Sequence, residues 1–328
     1  MATAEQLKAL LRSYAEGDQP RFLSVAMQIA ALEAKQGHSK LAQELRAVID
    51  EVKARSSAAP RTPRQPVPLV QPRGELAGVL SVTYPRTQLP EMVLDDSVRE
   101  RLVRVLREQH QQSKLREHGL RPRHRVLLVG PPGSGKTMTA SALAGEMSLP
   151  LFSIQLDGLL TKFMGETAAK LRLVFDAIRS TRGVYLFDEF DSIGGHRATG
   201  NDVGEIRRVL NSFLQFLEND DSDSLIVAAT NNPQLLDAAL FRRFDDVIEF
   251  RSPTPDLAEQ LVSSRLGPFL GVGLDIKALI EAASDLSYAD LARACDDAVK
   301  DAILRDSVHV EKQALLAAFD DRRAARRS

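Results

Sequence analysis

Cysteine is almost missing from this chain. Cys295 is the only one in 328 residues, which excludes an internal disulfide and a cysteine-rich zinc site and fits a reducing compartment. Net charge is missing too. The chain has 43 basic and 44 acidic residues, a formal balance of -1, so no global field draws it to nucleic acid or a membrane surface. No apolar run approaches the roughly 18 residues of a membrane span. The residues after Met1 are polar and helix-forming, unlike a signal peptide. These absences predict a soluble, cytoplasmic protein. The six histidines are scattered without metal-ligand spacing.

What is present centres on Val126-Leu127-Leu128-Val129 followed by Gly130-Pro131-Pro132-Gly133-Ser134-Gly135-Lys136-Thr137. The apolar run predicts a buried strand, and residues 137–147 the helix after it. A glycine-rich turn between them directs several backbone N–H groups to one point at a helix N-terminus, where anions are favoured. Lys136 would place its charge on the β- and γ-phosphates of a nucleotide, and the Thr137 hydroxyl would sit on Mg²⁺. Met138 follows in the same binding stretch.

Around this stretch the chain divides by composition. Residues 1–55 carry three apolar stripes at helical spacing: Leu7, Leu10, Leu11 and Tyr14; Phe22, Val25, Ala26 and Ile29; Leu41, Leu45, Val48, Ile49 and Val52. They predict a three-helix bundle, either a docking module or a structural appendage. Residues 56–73 hold Pro60, Pro63, Pro66, Pro68 and Pro72 with three arginines and no acid, the composition of an extended spacer. Residues 74–252 open with a short strand (Leu80, Val82 and Tyr84 alternate) and a helix capped at Asp95-Asp96-Ser97 and ended by Gly119. Strands then alternate with helices: strands at 126–129, 151–156, 184–188 and 225–230, helices at 137–147, 166–180 and 203–218, with a further strand at 246–250. That alternation predicts an α/β fold, a parallel sheet with helices on both faces. Residues 253–328 read as a small helical domain with helices at 256–266, 275–283, 288–304 and 311–320.

Several side chains could serve chemistry. The run Val184–Phe187 ends in Asp188-Glu189, at the strand end that faces the ligand crevice of a parallel sheet. There Asp188 would hold Mg²⁺ and Glu189 would orient and polarise an attacking water. Strand 225–230 ends in Asn231-Asn232. The Asn231 amide either bonds the water or γ-phosphate, or simply forms the turn before Pro233. Arg242 and Arg243 lie between Phe241 and Phe244, which predicts an anchored backbone with tips aimed outward. His124 and His196 flank the phosphate-binding stretch and read as lone surface histidines. The tail Arg322-Arg323-Ala324-Ala325-Arg326-Arg327 reads as a solvated helix end.

Taken together, these residues resemble the AAA+ ATPases, the AAA group with a second region of homology, over roughly residues 76–320. Gly130–Thr137 is similar to Walker A, Leu186–Asp191 to Walker B and Asn231 to the sensor-1 position. Leu236–Asp245 is similar to the segment carrying the arginine fingers, which in this family reach the nucleotide of the neighbouring subunit. Arg242 and Arg243 are adjacent, where the family usually places Pro-Gly between two arginines. Ser287-Tyr288-Ala289-Asp290-Leu291 is similar to the start of the sensor-2 helix in the AAA group. Phe163-Met164-Gly165, expected in the loop before helix 166–180, resembles the pore loop of polypeptide-threading members; packing of Phe163 into the domain core is the other reading.

The resemblance implies ATP and Mg²⁺ as cofactors, an αβα nucleotide domain with a helical lid, and a homo-oligomeric ring, usually a hexamer. It implies an ATPase that remodels a protein substrate, with nucleic acid and membrane not expected as partners. The compact layout is similar to bacterial AAA ATPases paired with a separate subtilisin-like protease in plasmid-maintenance or phage-defence systems. Two other readings are a nucleic-acid-linked loader or regulator and a slow nucleotide-dependent scaffold.

Overall fold

The computed structural model describes residues 26–27, 74–159, 164–191, 202–236, 238–271 and 275–327. The expected N-terminal bundle, apart from Ala26 and Met27, and the Pro-rich segment lie outside them. The chain divides into two units, Met1–Val70 and Gln71–Ser328, and the second carries the sheet.

That sheet has the order β1-β3-β4-β5-β2-β6, with β1 at Leu80–Thr83, β2 at Arg125–Val129, β3 at Leu151–Ile154, β4 at Val184–Phe187, β5 at Leu225–Thr230 and β6 at Asp246–Glu249. β3, β4, β5, β2 and β6 pair in parallel. β1 pairs antiparallel with β3, an edge strand outside the predicted alternation. Apart from Arg125 and Thr230 at their ends, the central strands β2, β4 and β5 are apolar because both faces are covered. Their alternate residues split by period two. Val126, Leu128, Val184, Leu186, Leu225 and Val227 pack against Val98, Leu102 and Leu106 of α1 (Asp96–His110) and against Ala140 and Leu143 of α3 (Lys136–Met147). On the other face Phe187 meets Phe175 of α5 (Met164–Ser180) at 6.2 Å and Phe213 of α6 (Asp202–Glu218) at 5.1 Å between ring centroids.

Several features differ from expectation. The first helix stops at His110, and a short α2 (Gln112–Glu117) follows, with Gly119 beyond it at φ 72. β3 ends at Ile154, and the Gln155 N–H bonds the Val79 carbonyl. Leu156–Leu159 then turns into a short helix, α4, that buries Leu156 and Leu159. An apolar run of this length fits either period, and spacing alone does not separate them. α5 begins at Met164, two residues earlier than predicted. His124 is buried rather than on the surface, 7% exposed, with Nδ1 3.3 Å from Asp245 and Nε2 3.9 Å from Asp220.

A separate core lies in the C-terminal helices α8 (Pro255–Leu266), α9 (Ile276–Ala282), α10 (Tyr288–Leu304) and α11 (Lys312–Arg327), built on Val262, Leu279, Leu291, Cys295, Leu315 and Phe319. Cys295 is fully buried there, and burial pushes its thiol up to about 12. Thiol labelling at pH 8 is therefore expected only when these helices open: no reaction in the folded chain, one equivalent in denaturant. Rapid labelling of the folded chain would contradict this packing.

Candidate active site

The site is a cleft of about 560 Å³ at the C-terminal ends of the parallel strands, bounded by the Gly130–Thr137 loop on one side and by α8 and α10 on the other. The loop's shape is fixed by what its glycines must avoid. At Gly130 a Cβ would collide with the backbone of Phe250, which follows β6. At Gly133, φ is 74, and a Cβ would lie 2.5 Å from Ser287 Oγ and 3.1 Å from Ala289 Cβ. The Gly133 carbonyl also accepts from the Ala289 N–H at 3.0 Å. Gly135, at φ 98, then leads into α3, so the helix N-terminus faces the cleft.

Lys136 is 6% exposed. Its ammonium donates to the Gly130 and Pro131 carbonyls at 2.8 and 2.9 Å and to Asn231 Oδ1 at 2.8 Å. Burial holds its pKa below the ordinary lysine value, with the charges of Asp188 and Asp191 acting the other way. A phosphate entering the loop would supply the counter-charge that burial denies. Thr137 Oγ1 donates to Asp188 Oδ2 at 2.7 Å. A hydroxyl and a carboxylate this close form a hard-oxygen pair of the kind that holds Mg²⁺.

Glu189 stands between two fixed neighbours. Asp188 is tied to Thr137, while Phe190 is fully buried, its N–H bonded to the Ala229 carbonyl at 2.8 Å and its ring 4.7 Å from that of Phe213. The chain must reverse between them, and Glu189 takes φ 49. This left-handed conformation is costly outside glycine and occurs where surrounding contacts over-determine it. The reversal leaves the Glu189 side chain exposed and lining the cleft.

The other predicted residues divide. Pro132, Ser134 and Met138 line the cleft with Asn231. Arg242 and Arg243 do not line it. They follow the short α7 (Ala238–Phe241), with Phe244 buried and Phe241 half-buried. Arg243 pairs with Glu218 at 2.7 Å and donates to the Ala239 carbonyl at 3.0 Å. Arg242 is exposed, and among the described residues no side chain pairs with it. Phe163 lies outside the described residues, and Met164 and Gly165 stand in the first turn of α5 rather than in the loop before it.

Three contributions escaped the sequence reading. Asp191 accepts from Thr230 Oγ1, the Asn231 N–H and Asn232 Nδ2 at 3.0 to 3.2 Å, and so positions Asn231. The Met92–Leu94 segment closes one side of the cleft. Arg265 and Arg293 face it from α8 and α10. No short-range motif marks them, because each acts through the fold rather than through spacing to the phosphate loop.

Residues 126–252 match the family described as "ATPase family associated with various cellular activities (AAA)". Along nearly its whole length the chain is similar to an uncharacterized AAA family ATPase, y4kL, of Sinorhizobium fredii, 32% identical over 98% of this chain and 96% of that one. It is also similar to the ATP-dependent zinc metalloprotease FtsH of Acidimicrobium ferrooxidans, 33% identical over 76% of this chain and 40% of that one. The peroxisomal ATPase pex6 of Schizosaccharomyces pombe is 35% identical over 60% of this chain and 22% of that one. The chain thus spans less than half the length of the latter two relatives.

Proposed function

The chain belongs to the AAA family of ATPases and hydrolyses ATP; from that premise we propose that it is a ring-forming, protein-remodelling member in which each cleft is completed by a neighbouring subunit. The observation that carries this reading is the separation of Arg242 from its own cleft, with an exposed side chain that no described residue pairs with. An arginine supplied from the next subunit would close that gap.

Within the cleft, the N–H groups of the Gly130–Thr137 loop and Lys136 bind the phosphates. Thr137 and Asp188 fit Mg²⁺ by their donor chemistry, and the ion would neutralise charge on the β- and γ-phosphates. Glu189 takes the proton of the attacking water as the water oxygen bonds to the γ-phosphorus. The bond to the β–γ bridging oxygen breaks and ADP departs. Asn231, held by Asp191, keeps Lys136 in register with the phosphates. The boundaries read from composition serve as the proposed division of labour: residues 1–55 dock substrate or adaptor, 56–73 act as a spacer, 74–252 carry the site and 253–328 form the lid.

For substrate handling we take Phe163, Met164 and Gly165 as the grip on an extended polypeptide. The Phe163 ring supplies a bulky contact tolerant of sequence. Of the relatives, FtsH is an ATP-dependent zinc metalloprotease and pex6 a peroxisomal ATPase. For this chain a protease, if it takes part in plasmid maintenance or phage defence, is proposed as a separate partner, with a hexamer in the cytoplasm as the working unit. No described helix is long and apolar enough to cross a membrane.

The test uses proteins trapped in cells by a Glu189→Gln variant as substrates. Phe163→Ala is expected to hydrolyse ATP within about twofold of wild type while slowing unfolding of a trapped substrate more than about tenfold. Full substrate unfolding by Phe163→Ala would remove the pore assignment and leave the ATPase standing.

A further inference from the structure

The arginine-rich C-terminus is not a solvated helix end. α11 continues to Arg327, and its last turns fold back on the start of α10. Arg323 Nε donates to both oxygens of Asp285, at 3.0 and 3.2 Å. Arg326 donates to the Asp285 carbonyl at 2.6 Å and pairs with Asp290 Oδ2 at 2.7 Å. Arg322 pairs with Asp297, about two turns further along α10 than Asp290.

Asp285 and Asp290, so held, flank the residues that touch the phosphate loop, Ser287 and Ala289. Asp290 Oδ2, the atom gripped by Arg326, also accepts from the Ser287 N–H at 3.1 Å and from Ser287 Oγ at 2.6 Å. Ser287 Oγ in turn accepts from the Asp290 N–H, closing a capping box at the start of α10. Ser287 and Ala289 then meet Gly133: Ala289 N–H bonds its carbonyl, and Ser287 Oγ fills the space where a Cβ would stand. The path from Arg326 to the phosphate loop therefore runs through Asp285 and Asp290 to Ser287 and Ala289. Asp285 is affected as this geometry requires. Slight burial works against its charged form, but the Arg323 hydrogen bond and the charges of Arg323 and Arg326 hold its carboxyl below the usual range.

We propose that Arg323 and Arg326 are positioning residues for nucleotide binding: the end of α11 clasps the N-terminal turn of α10 against the Gly130–Thr137 loop, so the C-terminus sets how tightly nucleotide is held. This rests on the reading that the cleft binds ATP. Neither arginine lines the cleft, so both act through Asp285, Asp290 and Ser287. A single exposed ion pair contributes little. Here two arginines share two acids and a backbone carbonyl with a helix cap, and networks of this kind exceed the sum of their pairs. The clasp acts on the closed arrangement of loop and lid, and therefore on affinity more than on the chemical step.

The test uses the full-length chain with Arg323→Ala/Arg326→Ala, Arg326→Lys, and a charge exchange of Asp285→Arg with Arg323→Asp. A fluorescent ADP analogue gives the dissociation constant and the number of binding sites, and phosphate release gives KM and kcat. The double alanine variant is expected to raise both Kd and KM about tenfold, with kcat at saturating ATP within about twofold and the site number unchanged. Arg326→Lys keeps the charge but cannot span the Asp285 carbonyl and Asp290 together, so it should weaken binding about threefold. The charge exchange should bind more tightly than Asp285→Arg alone. Wild-type Kd in the double alanine variant overturns the proposal, as does a fall in binding sites at unchanged Kd, which marks loss of folded protein instead. A wild-type chain that binds no nucleotide would sink the ATPase reading itself, a separate outcome.

Discussion

Replacing Glu189 with glutamine is expected to lower kcat for ATP about a thousandfold while leaving nucleotide affinity within about threefold of wild type. A positioned general base contributes about 10² to 10⁴ in rate, or about 3 to 5.5 kcal/mol of barrier. The surroundings make this substitution clean. Asp188 stays bonded to Thr137, Phe190 stays in its aromatic cluster, and the phosphate loop does not contact the Glu189 side chain through any hydrogen bond among the described residues. Glutamine has the same shape and is expected to accept the φ 49 backbone as glutamate does. Only proton acceptance is lost. Phosphate release measures the rate, and light scattering after size exclusion measures assembly. Because ATP then persists in the cleft, assembled rings should accumulate. Wild-type turnover in this variant would remove Glu189 as the group that activates water.

How much of this site could be read from residue order follows from how local each constraint is. The phosphate loop needs a strand, a glycine turn and a helix within about a dozen residues, and all three are written contiguously from Val126 to Thr137. An apolar run ending in two acids is common by itself, and the place of Asp188 and Glu189 in the cleft was legible from their position one βα unit beyond that loop. β5 and α10 were also legible to the residue, and the Ser287 cap stands directly before α10. The remainder depends on contacts across the chain. Asp191 reads as one more polar residue after a strand until β5 is laid beside β4, which brings Thr230, Asn231 and Asn232 to its carboxylate. His124 looks like a surface residue until the loop before β5 and the turn before β6 deliver Asp220 and Asp245 to its two nitrogens. The basic tail carries the charge pattern of a solvated helix end, and its engagement with Asp285 and Asp290 follows only from how α11 packs on α10. In each case the missing information is a long-range pairing, which local period and propensity do not encode.

The adjacent arginines are expected to separate when each is replaced by alanine and mixed with wild-type subunits. Arg243 is already committed within its own chain. Its Nε holds Glu218 and its Nη1 holds the Ala239 carbonyl, so it fixes the turn between α7 and β6. Asp245 completes that anchor. Burial opposes its charge, yet the Arg125 guanidinium and the His124 N–H hold the carboxyl below the ordinary range, and its own N–H bonds the Arg125 carbonyl at 2.8 Å. Arg242 sits on this fixed turn with an exposed side chain that no described residue engages. A finger needs that combination, since a rigid base limits the entropy lost on reaching the neighbouring phosphate. Arg242→Ala alone should therefore bind ATP normally and lose about 10³-fold or more in turnover, about 4 kcal/mol of barrier. Mixed at increasing excess with wild type, it should depress activity faster than dilution, because each altered subunit disables its neighbour's cleft. Arg243→Ala should lower the melting temperature by releasing the Glu218 contact and reduce turnover less, with mixing curves closer to simple dilution. Linear dilution by both variants would show that neither arginine acts across a boundary, and the clefts would then be self-sufficient. The reverse ranking would mean that the Glu218 pairing breaks on assembly and that Arg243 is the group handed to the neighbour.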